Sequence, residues 1–172
     1  YKTVQMVFQS PVESFNPRLK LGESIMEGLV NQGLSRRESK KKAEEYLEIC
    51  GLPKEFASRY PHQVSGGECQ RASIARAIAV KPKLLICDEA TSALDVTVQA
   101  QIIKLIGDLK TEMNIACLLI SHDIALVQEI CDRILVMYQG RVIEEGTPAE
   151  IIKNPQHSYT KKLIDAVFEI GL

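Results

Sequence analysis

The sequence lacks net charge, long apolar runs and paired cysteine motifs, and each absence removes a class of function. Lysine and arginine number 21 against 22 aspartates and glutamates, a formal net charge of −1. Such a balance leaves no electrostatic footprint for nucleic acid or for an anionic membrane surface. The longest apolar run, Ile115 to Ile120, falls far short of the roughly 20 residues that a membrane-spanning helix needs. Any membrane association therefore goes through a partner. The five cysteines, at positions 50, 69, 87, 117 and 131, form no C-x-x-C pair. They read as buried free thiols of a reducing, cytosolic compartment, and their odd number argues further against a disulfide framework. No secretory leader pattern opens the sequence, and Tyr1 as first residue reads as the downstream part of something longer.

What is present is enough for one domain with a real core: 172 residues, burying about 70% of the unfolded surface. The organising stretch is Lys83 to Asp95. Leu84 to Cys87 form an apolar run without alternation, which predicts a strand buried on both faces and hence part of a parallel sheet. Asp88 and Glu89 follow at its carboxyl end, where open α/β sheets bind ligands. One acid of such a pair suits Mg²⁺ and the other suits water activation; an acidic strand end before a helix cap is the plainer alternative. Upstream, Ser65-Gly66-Gly67-Glu68 opens an alanine-rich helix with no breaker until Pro82. A helix start of this kind offers free backbone N–H groups, a hydroxyl and the positive dipole end to phosphate oxygens. An ordinary serine N-cap with permissive glycines would look the same.

Ser-Gly-Gly-Glu, an alanine-rich helix, an apolar strand, Asp88-Glu89, Ser92-Ala93-Leu94-Asp95 and then strand-Ser121-His122-Asp123 together resemble the ATPase subunits of ABC transporters. Phe8-Gln9-Ser10-Pro11 with Asn16-Pro17, and Asn154-Pro155-Gln156-His157-Ser158-Tyr159-Thr160 near the end, resemble the oligopeptide, dipeptide and nickel importer branch. His157 and Tyr159 also read as simple packing residues, since nothing nearby supplies a second metal ligand.

The resemblance implies an α/β fold, a P-loop NTPase-type parallel sheet flanked by helices with an inserted helical signature subdomain. Residues 1–15 and 81–146 would form the core, about 16–80 the helical lobe, and 147–172 the C-terminal helices. It further implies that Asp88 holds Mg²⁺ through water, that Glu89 polarises the attacking water, and that Gln9 completes the metal and water shell while facing a membrane partner. His122 would contact the γ-phosphate. Ser65, Gly66 and Gly67, with Glu68, would bind a nucleotide carried by a second subunit, and Asp95 would connect the two sites. Three positions depart from the usual signature: Val64 for leucine, Glu68 for glutamine, and Cys69 after it. Of these, Glu68 sets an acid near an anionic ligand.

The implied cofactors are ATP and Mg²⁺, and the implied partners are a second ABC ATPase subunit and transmembrane permease subunits, with no nucleic acid. The implied location is the cytoplasmic face of the cell membrane, peripherally bound, with solute import of the peptide or nickel type as the function. Two other readings stay open: a scaffold subunit giving only its signature in trans, and a non-transport ABC protein. No G-x-x-x-x-G-K-[ST] occurs in the sequence. In the resembled family this Walker A loop and its strand precede the Q-loop, to which Gln9 corresponds. The expectation is a truncated domain without its main nucleotide seat, inactive alone, with the strands at 115–120 and 134–137 facing a gap.

Other elements follow from pattern. Val4 to Phe8 predicts a strand, Gly22 to Gln32 an amphipathic helix, and Ser35-Arg36-Arg37-Glu38 a capping box opening a helix to about Cys50. The basic residues of that helix are interleaved with glutamates, so they form a solvated mixed-charge face. A helix from about Val98 to Met113, a buried strand over Ile115 to Ile120, a hairpin around Gln139-Gly140 and a helix starting at Thr147-Pro148 complete the set.

Overall fold

The computed structural model describes residues 3–169. The chain forms two compact units, Tyr1–Ile120 and Ser121–Leu172. Tyr1 and the last three residues of the expected C-terminal helices lie outside the described residues.

In the first unit, β1 (Val4–Val7), β2 (Leu84–Asp88) and β3 (Ala116–Ile120) lie parallel in the order β1-β2-β3. Val7 pairs with Cys87, and Asp88 with Ile120, so the carboxyl ends of all three strands come together. Parallel strands need long crossovers. The first crossover carries α1 (Leu21–Val30), α2 (Arg36–Ile49), two short 3-10 turns (Lys54–Ser58 and Pro61–Gln63) and α3 (Gly66–Ala79). The second is α4 (Val96–Glu112). This is the expected α/β class.

Local chemistry places each helix. The Ser35 hydroxyl accepts from the Glu38 N–H, while a Glu38 carboxylate oxygen accepts from the Ser35 N–H at 3.0 Å, the reciprocal box that the sequence predicts. Helix α4 starts two residues earlier than expected because the Asp95 carboxylate accepts from the Val98 N–H at 3.0 Å. Its stripe of Ile102, Ile103, Ile106 and Leu109 is buried. In α1, Leu21, Ile25 and Leu29 are buried, whereas Val30 is exposed. Gly22 is required by contact: a Cβ there would lie 2.8 Å from the Ala57 carbonyl oxygen, which belongs to the first 3-10 turn. Helix α3 is buried on most of its surface, and its alanines 72, 75, 77 and 79 let neighbours approach closely while Ile74 and Ile78 fill the core. Burying each such isoleucine stabilises the fold by about 1.5–3 kcal/mol.

Two expectations need correction. Strand β3 is not buried on both faces: Leu118 and Ile120 are 43% and 45% exposed. Among the described residues β3 pairs with β2 alone, and the alternate side chains of Leu118 and Ile120 share a face that stays partly open. Strand β2 fits better, with Leu85 and Cys87 buried and Leu84 and Ile86 half-buried. The cysteines are free, but only Cys50, Cys69 and Cys87 are buried; Cys117 and Cys131 are half-buried. Burial pushes the Cys50 and Cys87 thiols up to about 12 and Cys69 to about 11, so these three are inert as thiolates near neutrality.

The second unit contains α5 (Ile124–Ile130), which the sequence pattern did not reveal, then β4 (Ile134–Tyr138), β5 (Arg141–Gly146), α6 (Pro148–Lys153) and α7 (Ser158–Glu169). Strands β4 and β5 form the expected antiparallel hairpin. Gln139 and Gly140 have φ of +47° and +75°, as a tight primed turn demands. The Glu144 carboxylate accepts from the Gln156 N–H at 2.7 Å and from the His157 N–H at 3.0 Å. His157 Nδ1 in turn accepts from the Tyr159 N–H at 3.1 Å, and the Tyr159 ring lies 4.2 Å from that of Tyr138. His157 and Tyr159 are therefore structural, as the packing alternative had it. Val136, Ile151 and Ile164 form the small core of this unit.

Candidate functional site

The site is built where the carboxyl ends of β1 and β2 meet. Asp88 ends β2 and is half-buried. Glu89 follows with φ of +44°, a left-handed conformation that costs a side-chain-bearing residue about 1–3 kcal/mol and persists only where its surroundings enforce it. They do so here. The Glu89 N–H donates to the Ile120 carbonyl at 3.0 Å, and the Glu89 carbonyl accepts from the Ser92 N–H and the Ser92 hydroxyl, both at 3.1 Å. Gln9, two residues beyond β1, donates its Nε2 hydrogen to the Ser92 hydroxyl oxygen at 3.1 Å. The hydroxyl of Ser92 thus joins two predicted site residues that lie 80 positions apart. Sequence reasoning missed Ser92; the available signal was a hydroxyl three residues after Glu89, a spacing that closes side chain-to-backbone turns.

Nearby, Ser65 is the N-cap of α3. Its hydroxyl accepts from the Glu68 N–H at 3.3 Å, and the Glu68 carboxylate accepts from the Ser65 N–H at 2.7 Å. The acid that looked out of place beside an anion is the reciprocal half of a capping box. Ser65 and Gly66 are exposed, and Gly67 is held against α4, where a Cβ would meet Val98 Cγ1 at 2.7 Å. A Cβ on Gly66 would lie 3.5 Å from Leu94 Cδ2, so the Ser-Ala-Leu-Asp segment packs against the signature turn. Asp95 itself is exposed and caps α4. Asp88, Glu89, Gln9, Ser65, Gly66, Gly67, Glu68 and Asp95 all belong to the first unit.

His122 belongs to the second unit and is exposed. The Ser121 hydroxyl accepts from the Asp123 N–H at 3.0 Å, and the Asp123 carboxylate accepts from the N–H groups of Ala125 and Leu126 at 2.9 and 3.2 Å. Ser-His-Asp is thus a helix-capping turn that presents the histidine at the start of α5.

The cap at Glu68 has a measurable consequence. The Ser65 N–H, and then the Ser65 hydroxyl, hold the Glu68 carboxyl below its ordinary value, outweighing the opposite effect of burial. A group depressed on folding stabilises the fold above its unfolded value, about 4.3 for glutamate, and that contribution is lost as pH falls through the folded value. Glu68→Ala is expected to cost about 1 kcal/mol near neutrality. Glu68→Gln keeps an acceptor for the Ser65 N–H but not the charge, so it is expected to lie between the parent and Glu68→Ala at pH 7 and to remove this contribution to acid sensitivity. Thermal unfolding of both variants between pH 3 and 7 checks this.

The family model described as ABC transporter matches residues 1–92. The chain belongs to the ABC transporter family. It is 47% identical over 166 residues to the oligopeptide transport ATP-binding protein OppF of Salmonella typhimurium, a match that covers 95% of this chain and 50% of that protein. It is 46% identical over 166 residues to the dipeptide transport ATP-binding protein DppF of Haemophilus influenzae, covering 96% and 51%. To the glutathione import ATP-binding protein GsiA of Pectobacterium atrosepticum it is 49% identical over 167 residues, covering 96% and 27%. The chain thus spans about half the length, or less, of these curated relatives.

Among solved ABC structures, cbiO1 from Clostridium perfringens, part of the ABC transporter complex cbiONQ, matches with a TM-score of 0.80 at 29% identity, over 99% of this chain and 66% of that one. The ATP-binding cassette MJ0796, in a dimeric post-hydrolysis state bound to ADP and Pi, matches with a TM-score of 0.75 at 31% identity, over 85% and 63%. The parallel sheet with its helical crossover is therefore the ABC ATPase fold.

Proposed function

We propose that this chain is part of an ATP-binding subunit that couples ATP hydrolysis to import of a peptide-class solute. The observation that carries the proposal is the link from the Gln9 amide through the Ser92 hydroxyl to the Glu89 backbone carbonyl, which ties these two residues together at the end of β2. Phosphoryl transfer needs positioning and charge neutralisation more than covalent chemistry, which is the work that Asp88, Glu89 and Gln9 would do. The names of the relatives, which concern oligopeptide, dipeptide and glutathione import, support the solute class.

ATP with Mg²⁺ would supply the transferable phosphoryl group and the counter-charge. The donor set fits that metal. Among the described residues no three His, Cys, Asp or Glu side chains form a closed cage, and Mg²⁺ is ordinarily held by one or two carboxylates together with phosphate and water. Asp88 and the free carbonyl end of the Gln9 amide are the residues that would hold it, with Glu89 accepting the proton of the attacking water. The exposed Ser65 and Gly66 would meet the nucleotide of a second ATPase subunit, Asp95 would connect the two sites, and His122 would steady the γ-phosphate. Residues 1–15 and 81–146 would act as the catalytic core and 16–80 as the helical signature lobe. No described helix is long and apolar enough to cross a membrane. The transport ATP-binding names of the relatives support permease partners, on which the subunit would dock peripherally from the cytoplasmic side.

The loop after Gln9 supplies the docking test. Phe8 and Val12 are 47% and 45% exposed, and Val12→Asp should leave the fold intact. In the complete protein assembled with its permease, Val12→Asp is expected to cut solute uptake per ATP at least tenfold while ATP affinity stays within twofold. Uptake per ATP equal to the parent's would remove this loop from the docking surface.

A further inference from the structure

The signature helix holds the loop after Gln9 at two points. Gln70, one turn into α3 and with no exposed surface, directs its Nε2 hydrogen toward the Phe8 carbonyl at 3.5 Å. Further along, the half-buried Arg76 donates to the Ser14 carbonyl at 2.7 Å and to the Ser14 hydroxyl at 3.1 Å, and its guanidinium lies 4.2 Å from the centre of the Phe15 ring. The spacing from Gln70 to Arg76 corresponds to about 9 Å along a helix.

Between these points the loop is braced on itself. The Ser14 N–H donates to the Ser10 and Pro11 carbonyls at 3.2 Å, the Phe15 N–H to the Val12 carbonyl at 3.3 Å, and the Ser14 hydroxyl to the Pro11 carbonyl at 2.7 Å. Such a turn moves as a body. Ser10 to Glu13 also line a cleft shared with Gly66, Ala93 and Leu94, so the loop and the exposed start of α3 face one another. Arg76 is the stronger of the two grips: a planar fork with two directed bonds and a ring beneath it, which an ammonium group cannot reproduce.

We propose that Arg76 is a positioning residue that latches residues 10–15 to the signature helix, so that a push on the loop by a membrane partner is delivered to Ser65 and Gly66. Arg76 touches no reacting atom in this scheme; it acts through the loop. The coupling part rests on the function proposed above, whereas the latch itself does not.

The two parts separate in one set of measurements on the complete protein. Hydrogen–deuterium exchange without nucleotide reads the latch. In Arg76→Met, which keeps the apolar stem, exchange of residues 10–15 is expected to rise at least tenfold while α2 and α4 keep their protection. Unchanged exchange over 10–15 overturns the latch, and a uniform rise across the fold assigns Arg76 a merely structural role and overturns it too. Transport reads the coupling. With the permease, Arg76→Met is expected to lower uptake per ATP about tenfold with basal hydrolysis within twofold, and Arg76→Lys to fall between. Local loosening with unchanged uptake per ATP overturns the coupling. If Arg76→Met does not fold, the same readouts on Arg76→Lys decide, with parental exchange or parental coupling counting against the corresponding part. A parent complex that hydrolyses no ATP or moves no solute overturns the proposed function and leaves the exchange result to judge the latch.

Discussion

Replacing Glu89 with glutamine in the complete protein is expected to leave ATP binding intact and to cut turnover about a hundred- to ten-thousand-fold. A positioned base contributes about 10²–10⁴ to a rate, equivalent to about 3–5 kcal/mol of barrier. Glutamine matches glutamate in size and keeps one acceptor oxygen, so a bound water can still be oriented. The amide cannot take its proton. Binding should survive because the residues proposed to hold the nucleotide and its metal, Asp88, Ser65, Gly66 and Gly67, are untouched. The fold should survive as well, because the backbone N–H and carbonyl bonds to Ile120 and Ser92 that accompany φ +44° are kept by an amide of the same size. Steady-state hydrolysis and equilibrium nucleotide binding, measured on the same preparation, check both halves. Turnover within tenfold of the parent would take the base's role away from Glu89.

The backbone strain at Glu89 marks the boundary between what the sequence discloses and what it does not. An apolar run ending in two acids announces a strand and a chemical end, and the absence of alternation in Leu84 to Cys87 announces a parallel sheet, in which β2 is the central strand. Caps were legible for the same reason: Ser35 with Glu38, and Thr147 with Glu150, are local patterns whose two halves lie three residues apart. The tie from Gln9 to Ser92 was not legible, because it joins residues 83 apart through a side chain that looks like an ordinary turn serine. Arg76 was missed likewise. Within an alanine-rich helix it reads as a solvated charge, and only the folded chain brings Ser14 and Phe15 beneath it. Glu68 shows the reverse case, where a family departure that seemed to oppose phosphate binding is a local cap. Helix α5 escaped because its seven residues, with no fully buried side chain among them, carry too little periodicity to stand out.

The 172-residue polypeptide made by itself is expected to self-associate at micromolar concentration and to turn over essentially no ATP. Among the described residues β3 is an edge, with β2 on one side only, and it presents Leu118 and Ile120 at 43% and 45% exposure. An apolar strand at the edge of a sheet is a template for pairing with another chain. Residues 116–120 carry no charge and no proline, two of the devices that ordinarily protect such edges. Lysines at both positions, Leu118→Lys with Ile120→Lys, are expected to convert the polypeptide to a monomer, because alternate residues of one strand share a face and two cations there oppose pairing and stacking alike. The expected lack of turnover has a separate origin. Asp88 and Glu89 have no phosphate loop of the Walker A pattern among these residues to seat a nucleotide before them, so the lysine variant should be monomeric and equally inactive. Sedimentation velocity over a concentration series, with hydrolysis measured on the same samples, tests both. A concentration-independent monomer in the parent polypeptide would show that β3 is covered, and hydrolysis at an ordinary rate would show that these residues seat ATP without that loop.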